Sequence, residues 1–168
     1  INKTKNLYIN YMKLILVGKA AAGKDFLKNR LKSKNFKIGV SHTTRAPRRN
    51  EKDGIDYHFI DRSEFEEMID QNKFIEYMEF NGWFYGQTEE DFDTADVMIM
   101  SKDGLDMLPK QYRDQCVVIY LDVDRMTRIE RLNRRNDVND SIMRRMNTDD
   151  EQFTGFSDYD IKIKNADF

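Results

Sequence analysis

Residues 13–17, Lys-Leu-Ile-Leu-Val, run directly into Gly18-Lys19-Ala20-Ala21-Ala22-Gly23-Lys24, and residues 24–32 follow as an amphipathic segment carrying Phe26, Leu27 and Leu31. No other stretch limits the fold so tightly. A short apolar run ending at glycine reads as a buried parallel strand. The small residues after it let the chain turn into a helix while backbone N–H groups converge in the turn. Strand, glycine loop and helix in this order point to an α/β architecture, and the loop suits a phosphate group with Lys24 set to bridge the β- and γ-phosphates of a nucleotide. An ordinary glycine turn is the alternative, and the strand-to-helix setting argues against it.

The rest of the chain continues the alternation. Residues 36–40 are expected to form a second strand and residues 57–60 a short one, with Asp61 or Ser63 capping a helix that bears Phe65, Met68 and Ile69. Residues 74–80 and 83–86 flank Asn81-Gly82, the strongest short hairpin signal in the sequence. Residues 96–100 and 116–121 read as buried strands. Asp124 caps a helix with Met126, Ile129 and Leu132 on one face, another helix begins at Asp140-Ser141, and residues 159–163 make a last strand. The predicted architecture is a three-layer α/β domain over residues 12–168. A mainly parallel sheet comes from residues 12–41 and 95–168, a β-rich lobe is inserted at about residues 42–94, and residues 1–11 are a polar extension.

A second chemical feature lies in residues 41–59. Arg45 and Arg48 stand three residues apart, Ser41 four residues before the first and Tyr57 nine after the second. Guanidinium forks bind phosphate oxygens bidentately, and hydroxyls complete the shell. Alone, this would be a basic surface loop turning at Asp53-Gly54. Beside a phosphate loop, it reads as a site for a small dianionic phosphate.

Charge and cysteine content narrow the class. The 168 residues include 28 Lys and Arg against 30 Asp and Glu, a net charge of −2, which argues against a nucleic-acid or membrane-surface partner. The charge is clustered all the same: Arg45, Arg48, Arg49 and Lys52 form one basic block, residues 125–145 hold another, and Glu89, Glu90, Asp91, Asp93 and Asp96 lie between them. Local basic clusters on a near-neutral protein suit a small polyanion. Cys116 is the single cysteine, which excludes an internal disulfide and fits a reducing, cytoplasmic compartment. With two histidines and one cysteine, no zinc site is expected. The apolar runs are too short to span a bilayer, and residues 1–11 lack the apolar core of a signal peptide. Monomer and homodimer are left undecided.

Residues 41–59, Ser41-His42-Thr43-Thr44-Arg45-Ala46-Pro47-Arg48-Arg49-Asn50-Glu51 through Gly54, Asp56-Tyr57 and Phe59, resemble the monophosphate-binding segment of guanylate kinases, S-x-T-T-R-x-P-R-x-x-E-x-x-G-x-D-Y-x-F. Further pieces agree in order and spacing: Phe74-Ile75-Glu76, Gly82-Trp83-Phe84-Tyr85-Gly86, Arg131-Leu132-Asn133-Arg134-Arg135 with Arg145, and the final strand ending at Asn165. The likeness covers residues 12–168. It implies a P-loop NTPase fold with a helical arginine lid at about residues 131–148, and transfer of the γ-phosphoryl group of Mg-ATP to GMP or dGMP. By the same resemblance Gly18, Lys19, Ala20, Ala21, Ala22, Gly23, Lys24 and Asp25 would surround ATP, with Asn165 near its adenine. Ser41, Arg45, Arg48, Tyr57 and Tyr85 would hold the acceptor's phosphate. Glu76 would accept hydrogen bonds from guanine N1–H and the N2 amino group, with Gln87 and Ser101 completing the base pocket. Lys24, Arg45, Arg131, Arg135 and Arg145 would neutralise the phosphoryl group in flight.

Four departures accompany the resemblance. Asp25 stands where a Ser or Thr hydroxyl usually ligates Mg²⁺. It is either a direct oxygen ligand or a carboxylate favoured by the helix dipole, and some phage and bacterial nucleotide kinases are similar in having G-K-D. Gln87 replaces a Ser or Thr, Ser101 an aspartate, and Asn136-Asp137 a Gly-Thr. Two alternatives follow: a broader deoxynucleoside monophosphate kinase, or a catalytically inactive guanylate kinase-like module that binds phosphorylated peptides. The retained phosphate loop and arginines argue against the second. Arg125, Arg128, Arg134 and Arg144 read as a solvated helix face.

Overall fold

The computed structural model describes residues 12–135 and 141–164. The chain opens on β1 (Lys13–Gly18), turns through the glycine loop into α1 (Lys24–Lys32), and then makes two short strands, β2 (His42–Thr43) and β3 (His58–Phe59). α2 (Arg62–Asp70) leads to a hairpin of β4 (Phe74–Phe80) and β5 (Trp83–Thr88). α3 (Glu89–Thr94), β6 (Val97–Ile99), α4 (Lys102–Met107) and α5 (Lys110–Arg113) follow. β7 (Cys116–Leu121), α6 (Arg125–Arg135), α7 (Ile142–Gln152) and β8 (Ile161–Ile163) complete the order.

The strands fall into two sheets. The first is parallel, in the order β6-β1-β7-β8. Its central strand β1 pairs along its whole length with β7, from Lys13↔Cys116 to Gly18↔Leu121. Ile15, Leu16 and Val17 are fully buried, the continuous apolar run that a strand covered on both faces requires. The second sheet is mixed, in the order β3-β2-β5-β4. Its hairpin closes through Asn81 (φ 54°) and Gly82 (φ 81°), two consecutive left-handed residues that match the strands' twist. Phe65 of α2 stacks on Phe74 and Phe84 at ring separations of 4.4 and 5.1 Å, giving this sheet an aromatic core. Gly86 makes room for that stack, since a Cβ there would lie 2.8 Å from the Phe74 ring.

Several expectations need correction. Residues 36–40 form no strand. Only Ile38 bridges to Val97, while the Lys37 carbonyl accepts from Asp96 and Val97 and the Gly39 N–H donates to the Val97 carbonyl, so the segment touches the sheet edge and leaves it. Residues 89–94, 102–107 and 110–113 are helical although no helix is expected there. The first two begin at side-chain caps: Thr88 accepts from the Asp91 N–H and Ser101 from the Gly104 N–H. At α2 the cap is Asp61, which accepts from the Glu64 N–H. Among the described residues, no helix is long and apolar enough to cross a membrane.

Candidate active site

The glycine loop joins β1 to α1 as its small residues require. Ala21 (φ 59°) and Gly23 (φ 103°) both take left-handed backbone, which a larger side chain would resist. A Cβ on Gly18 would lie 2.8 Å from the Leu121 carbonyl, so glycine is what lets β1 end tightly against β7. Lys24 folds back over the loop, donating to the carbonyls of Gly18 and Lys19. Arg131 of α6 donates to the Ala21 carbonyl at 3.0 Å, which brings one of the expected lid arginines onto the loop. Arg135 and Arg145 lie in α6 and α7, their side chains outside the described set; Asn165 and Asn136-Asp137 also fall outside the described residues.

Two carboxylates that the sequence reading passed over meet the loop from α7. Asp149 accepts from the Ala20 N–H at 2.7 Å, and Asp150 pairs with Lys19 at 2.7 Å. Behind them Arg128, expected on a solvated face, is only 1% exposed and is pinned to the Val123 carbonyl, Asp149 and Asp150. Arg125 also pairs with Asp150. Charge on the inner face of α6 is therefore structural, and it fixes α7 against the phosphate loop.

A cavity of about 300 Å³ opens beside the loop. Its lining draws on the phosphate loop (Gly18, Ala20, Lys24), on Ser41, Arg48 and Tyr57, on the hairpin (Glu76, Met78, Tyr85, Gly86), on Ser101 and Asp103, and on Asp149, Gln152 and Phe153. A second hollow of about 240 Å³ shares Lys24, Ser41, Arg48 and Tyr57 with it and adds Asp25, Lys28 and Asp56. Of the expected site residues, Gly18, Ala20, Lys24, Asp25, Ser41, Arg48, Tyr57, Glu76, Tyr85 and Ser101 line these two adjoining hollows, whereas Arg45 and Gln87 do not.

Their environments differ. Arg45 is buried, and its Nη2 donates to both oxygens of Glu51 at 2.9 Å and its Nη1 to the Ala46 carbonyl at 2.7 Å, while the guanidinium lies 5.4 Å over the Tyr57 ring. Glu51 also accepts from the Arg48 N–H at 2.7 Å, so one carboxylate sets both arginines, and it is Arg48 that reaches the cavity wall. Burial and the neighbouring Tyr85 push the Tyr57 hydroxyl up to about 12, keeping it a protonated donor. Glu76 sits on β4 just after a bulge between residues 74 and 76, which breaks the strand's register and re-aims its side chain. Burial alone pushes its carboxyl up to about 7. Gly104 of α4 allows this, because a Cβ there would lie 2.9 Å from Glu76 Oε2.

The three departures within the described site have distinct placements. Gln87 is fully buried and accepts from Ser41 Oγ at 2.9 Å, so it supports Ser41 rather than lining the cavity. Ser101 lines the cavity, but its hydroxyl is committed to capping α4 and to Met78 Sδ at 2.8 Å. Asp25 is 63% exposed, 3.3 Å from Lys28. Asp25 lines the second hollow together with Lys24, and its carboxylate is a hard oxygen donor of the kind that Mg²⁺ takes together with water.

The chain is similar to known proteins along most of its length. The family model described as guanylate kinase matches residues 11–168. A guanylate kinase of Aliivibrio fischeri is 33% identical over 165 residues, covering 92% of this chain and 80% of that protein. One of Schizosaccharomyces pombe is 46% identical over 76 residues, 44% of this chain and 38% of the relative. The crystal structure of guanylate kinase from Anaplasma phagocytophilum superposes with a TM-score of 0.66 at 26% identity, covering 93% of this chain and 77% of that one. With the phosphate loop, Arg48 and a buried glutamate on one cavity, and with the match running along the whole described chain, this protein belongs to the guanylate kinase family of nucleoside monophosphate kinases.

Proposed function

We propose that the groove transfers the γ-phosphoryl group of Mg-ATP to GMP or dGMP, giving ADP and GDP or dGDP. The observation that carries this reading is Glu76: a buried carboxylate lining the same cavity as Arg48, Tyr57 and the phosphate-loop residues Gly18, Ala20 and Lys24. An ionised carboxylate accepts from two adjacent donors, which guanine offers at N1 and N2 and adenine does not. A wrong base would leave that buried charge unpaired.

The phosphate of the acceptor lies against Arg48, Tyr57, Tyr85 and Ser41, with Arg45 and Glu51 bracing Arg48 and Gln87 bracing Ser41. Lys24 and the loop amides take the β- and γ-phosphates. An acceptor phosphate oxygen then attacks the γ-phosphorus in line while the bond to the β–γ bridging oxygen breaks. There is little covalent work for the protein, so catalysis consists of alignment and neutralisation of charge by Lys24, Arg48 and the arginines of α6 and α7, Arg131, Arg135 and Arg145. Asp25 is the carboxylate that would hold Mg²⁺ beside Lys24, and the ion supplies charge neutralisation of the triphosphate. Gln87 does not line the cavity and the Ser101 hydroxyl is committed to α4 and Met78, which leaves base choice to Glu76.

The test is ADP release with Mg-ATP against GMP, dGMP, AMP, dAMP, CMP, dCMP, UMP and dTMP. Turnover confined to GMP and dGMP is expected. Comparable turnover of dTMP or dAMP would establish the broader deoxynucleotide kinase instead, and no turnover with any acceptor would overturn the enzymatic reading.

A further inference from the structure

The two histidines of the chain, sixteen residues apart in sequence, meet in space. His42 and His58 are register partners on the parallel strands β2 and β3, with ring centroids 4.5 Å apart. Asp91 of α3 faces them: its Oδ2 lies 3.4 Å from His42 Nδ1 and its Oδ1 3.9 Å from His58 Nε2. One ligand atom from each residue lies within 4.8 Å of the others. The sequence offers no spacing signal for this, because the sheet and not a helix brings the histidines together. We propose that His42, His58 and Asp91 form a site for one transition-metal ion of the zinc class, on the side of the second sheet away from the nucleotide groove.

The geometry is close to what such an ion needs. With bonds of about 2.0–2.2 Å to nitrogen and oxygen, tetrahedral ligand atoms stand about 3.3 Å apart. The His42–Asp91 pair is there already, at 3.4 Å. His58 is 37% exposed and free to close the remaining gap by side-chain rotation. Asp91 is oriented from behind by Thr88 Oγ1, which donates to Oδ2 at 2.6 Å, the kind of outer hydrogen bond that fixes a metal carboxylate. The ring nitrogen His42 Nδ1 is buried, and its 3.4 Å approach to Asp91 Oδ2 falls short of a well-formed hydrogen bond, so a metal between the two would replace a poor contact. Two imidazoles and one carboxylate select zinc-like ions over Mg²⁺, which prefers oxygen throughout, so this site does not compete for the ion that accompanies ATP.

Strand alternation gives the site a role. Side chains alternate across a strand, so Ser41 and Tyr57 face the groove while their neighbours His42 and His58 face the other way. β2 and β3 are joined by only two register pairs. A metal shared by both strands and by α3 clamps that short ladder directly behind the groups that would hold the acceptor's phosphate.

The experiment uses untagged, chelator-treated protein without nucleotide. Zn²⁺ is titrated against a chromophoric chelator, and the imidazole proton signals, two histidines and therefore easily assigned, are followed in parallel. We expect one equivalent to bind, both imidazoles to shift together, and the melting temperature to rise. His58→Gln and Asp91→Asn each weaken binding by about tenfold or more, whereas Cys116→Ser, whose thiol is buried and pushed up to about 11 by that burial, leaves it unchanged. The wild-type NMR titration stands even if a variant misfolds. Absence of binding at a several-fold excess of Zn²⁺, an imidazole that does not move, or binding indifferent to both substitutions would overturn the assignment.

Discussion

Glu76 shows how one residue ties stability to recognition. Its carboxyl is held up at about 7 by burial, against an ordinary value of 4.5. The folded protein therefore binds this proton more tightly than the unfolded chain. The stability it confers is complete below about 4.5 and is lost as pH rises through about 7. Glu76→Gln, neutral at every pH, should thus be more stable than wild type at pH 8 by about 1–3 kcal/mol, with the margin shrinking toward pH 5. Denaturant melts at the two pH values check this. Recognition runs the other way, since only the ionised form accepts two hydrogen bonds. The KM for GMP should fall as pH rises from 6 to 8. In the glutamine variant it should be raised by about 10- to 100-fold and lose the glutamate-dependent part of that pH profile; equal profiles would remove Glu76 from base recognition.

At the scale of elements, close packing carries the second sheet and charge carries α6 and α7. Gly86→Ala places a Cβ within 3.0 Å of both Phe74 and Phe65, whose rings are already stacked. A loss of about 1–3 kcal/mol in urea unfolding is expected. Arg128→Met removes the cation that Asp149 and Asp150 surround. Because Asp150 retains Lys19 and Arg125, the cost should be about 2–4 kcal/mol rather than that of a fully orphaned pair. Phosphoryl transfer should weaken with it, as α7 loses its hold on the loop, and thermal unfolding beside kinetics separates the two effects. These elements also show what was readable beforehand. β1, α1 and the hairpin announce themselves through a run of apolar residues, a glycine loop and an Asn-Gly pair. α3 and α4 have six residues each, too few for a helical period to emerge, and only the caps Thr88 and Ser101 mark them. The burial of Arg128 was invisible because its partners are 21 and 22 residues further along the chain. Glu51 was part of a legible motif, but its fork onto Arg45 is a matter of three dimensions.

For the molecule as a whole, the groove lies between structures that are separate in sequence. The phosphate loop belongs to the parallel sheet, Arg48, Tyr57, Glu76 and Tyr85 to the second sheet and its loops, and Asp149 to α7. A ligand that touches several of these stabilises them jointly, by about 2.7 kcal/mol at one hundred times its dissociation constant. GMP alone and Mg-ATP alone should each raise the melting temperature. Arg48→Ala should abolish most of the GMP shift while leaving that of Mg-ATP, and Lys24→Met the reverse. Loss of both shifts in either variant would mean that the two subsites are not separable.

The contact between Asp149 and the Ala20 N–H has a consequence for selectivity. An anion entering the loop meets a competitor that belongs to the same molecule and is tethered in place, with an effective concentration in the range of about millimolar. A lone inorganic phosphate has to displace it with the contacts of one phosphoryl group only. A triphosphate engages Lys24 and several amides at once and overcomes it easily. The tethered carboxylate therefore sets a threshold that favours a chain of phosphates over a single one.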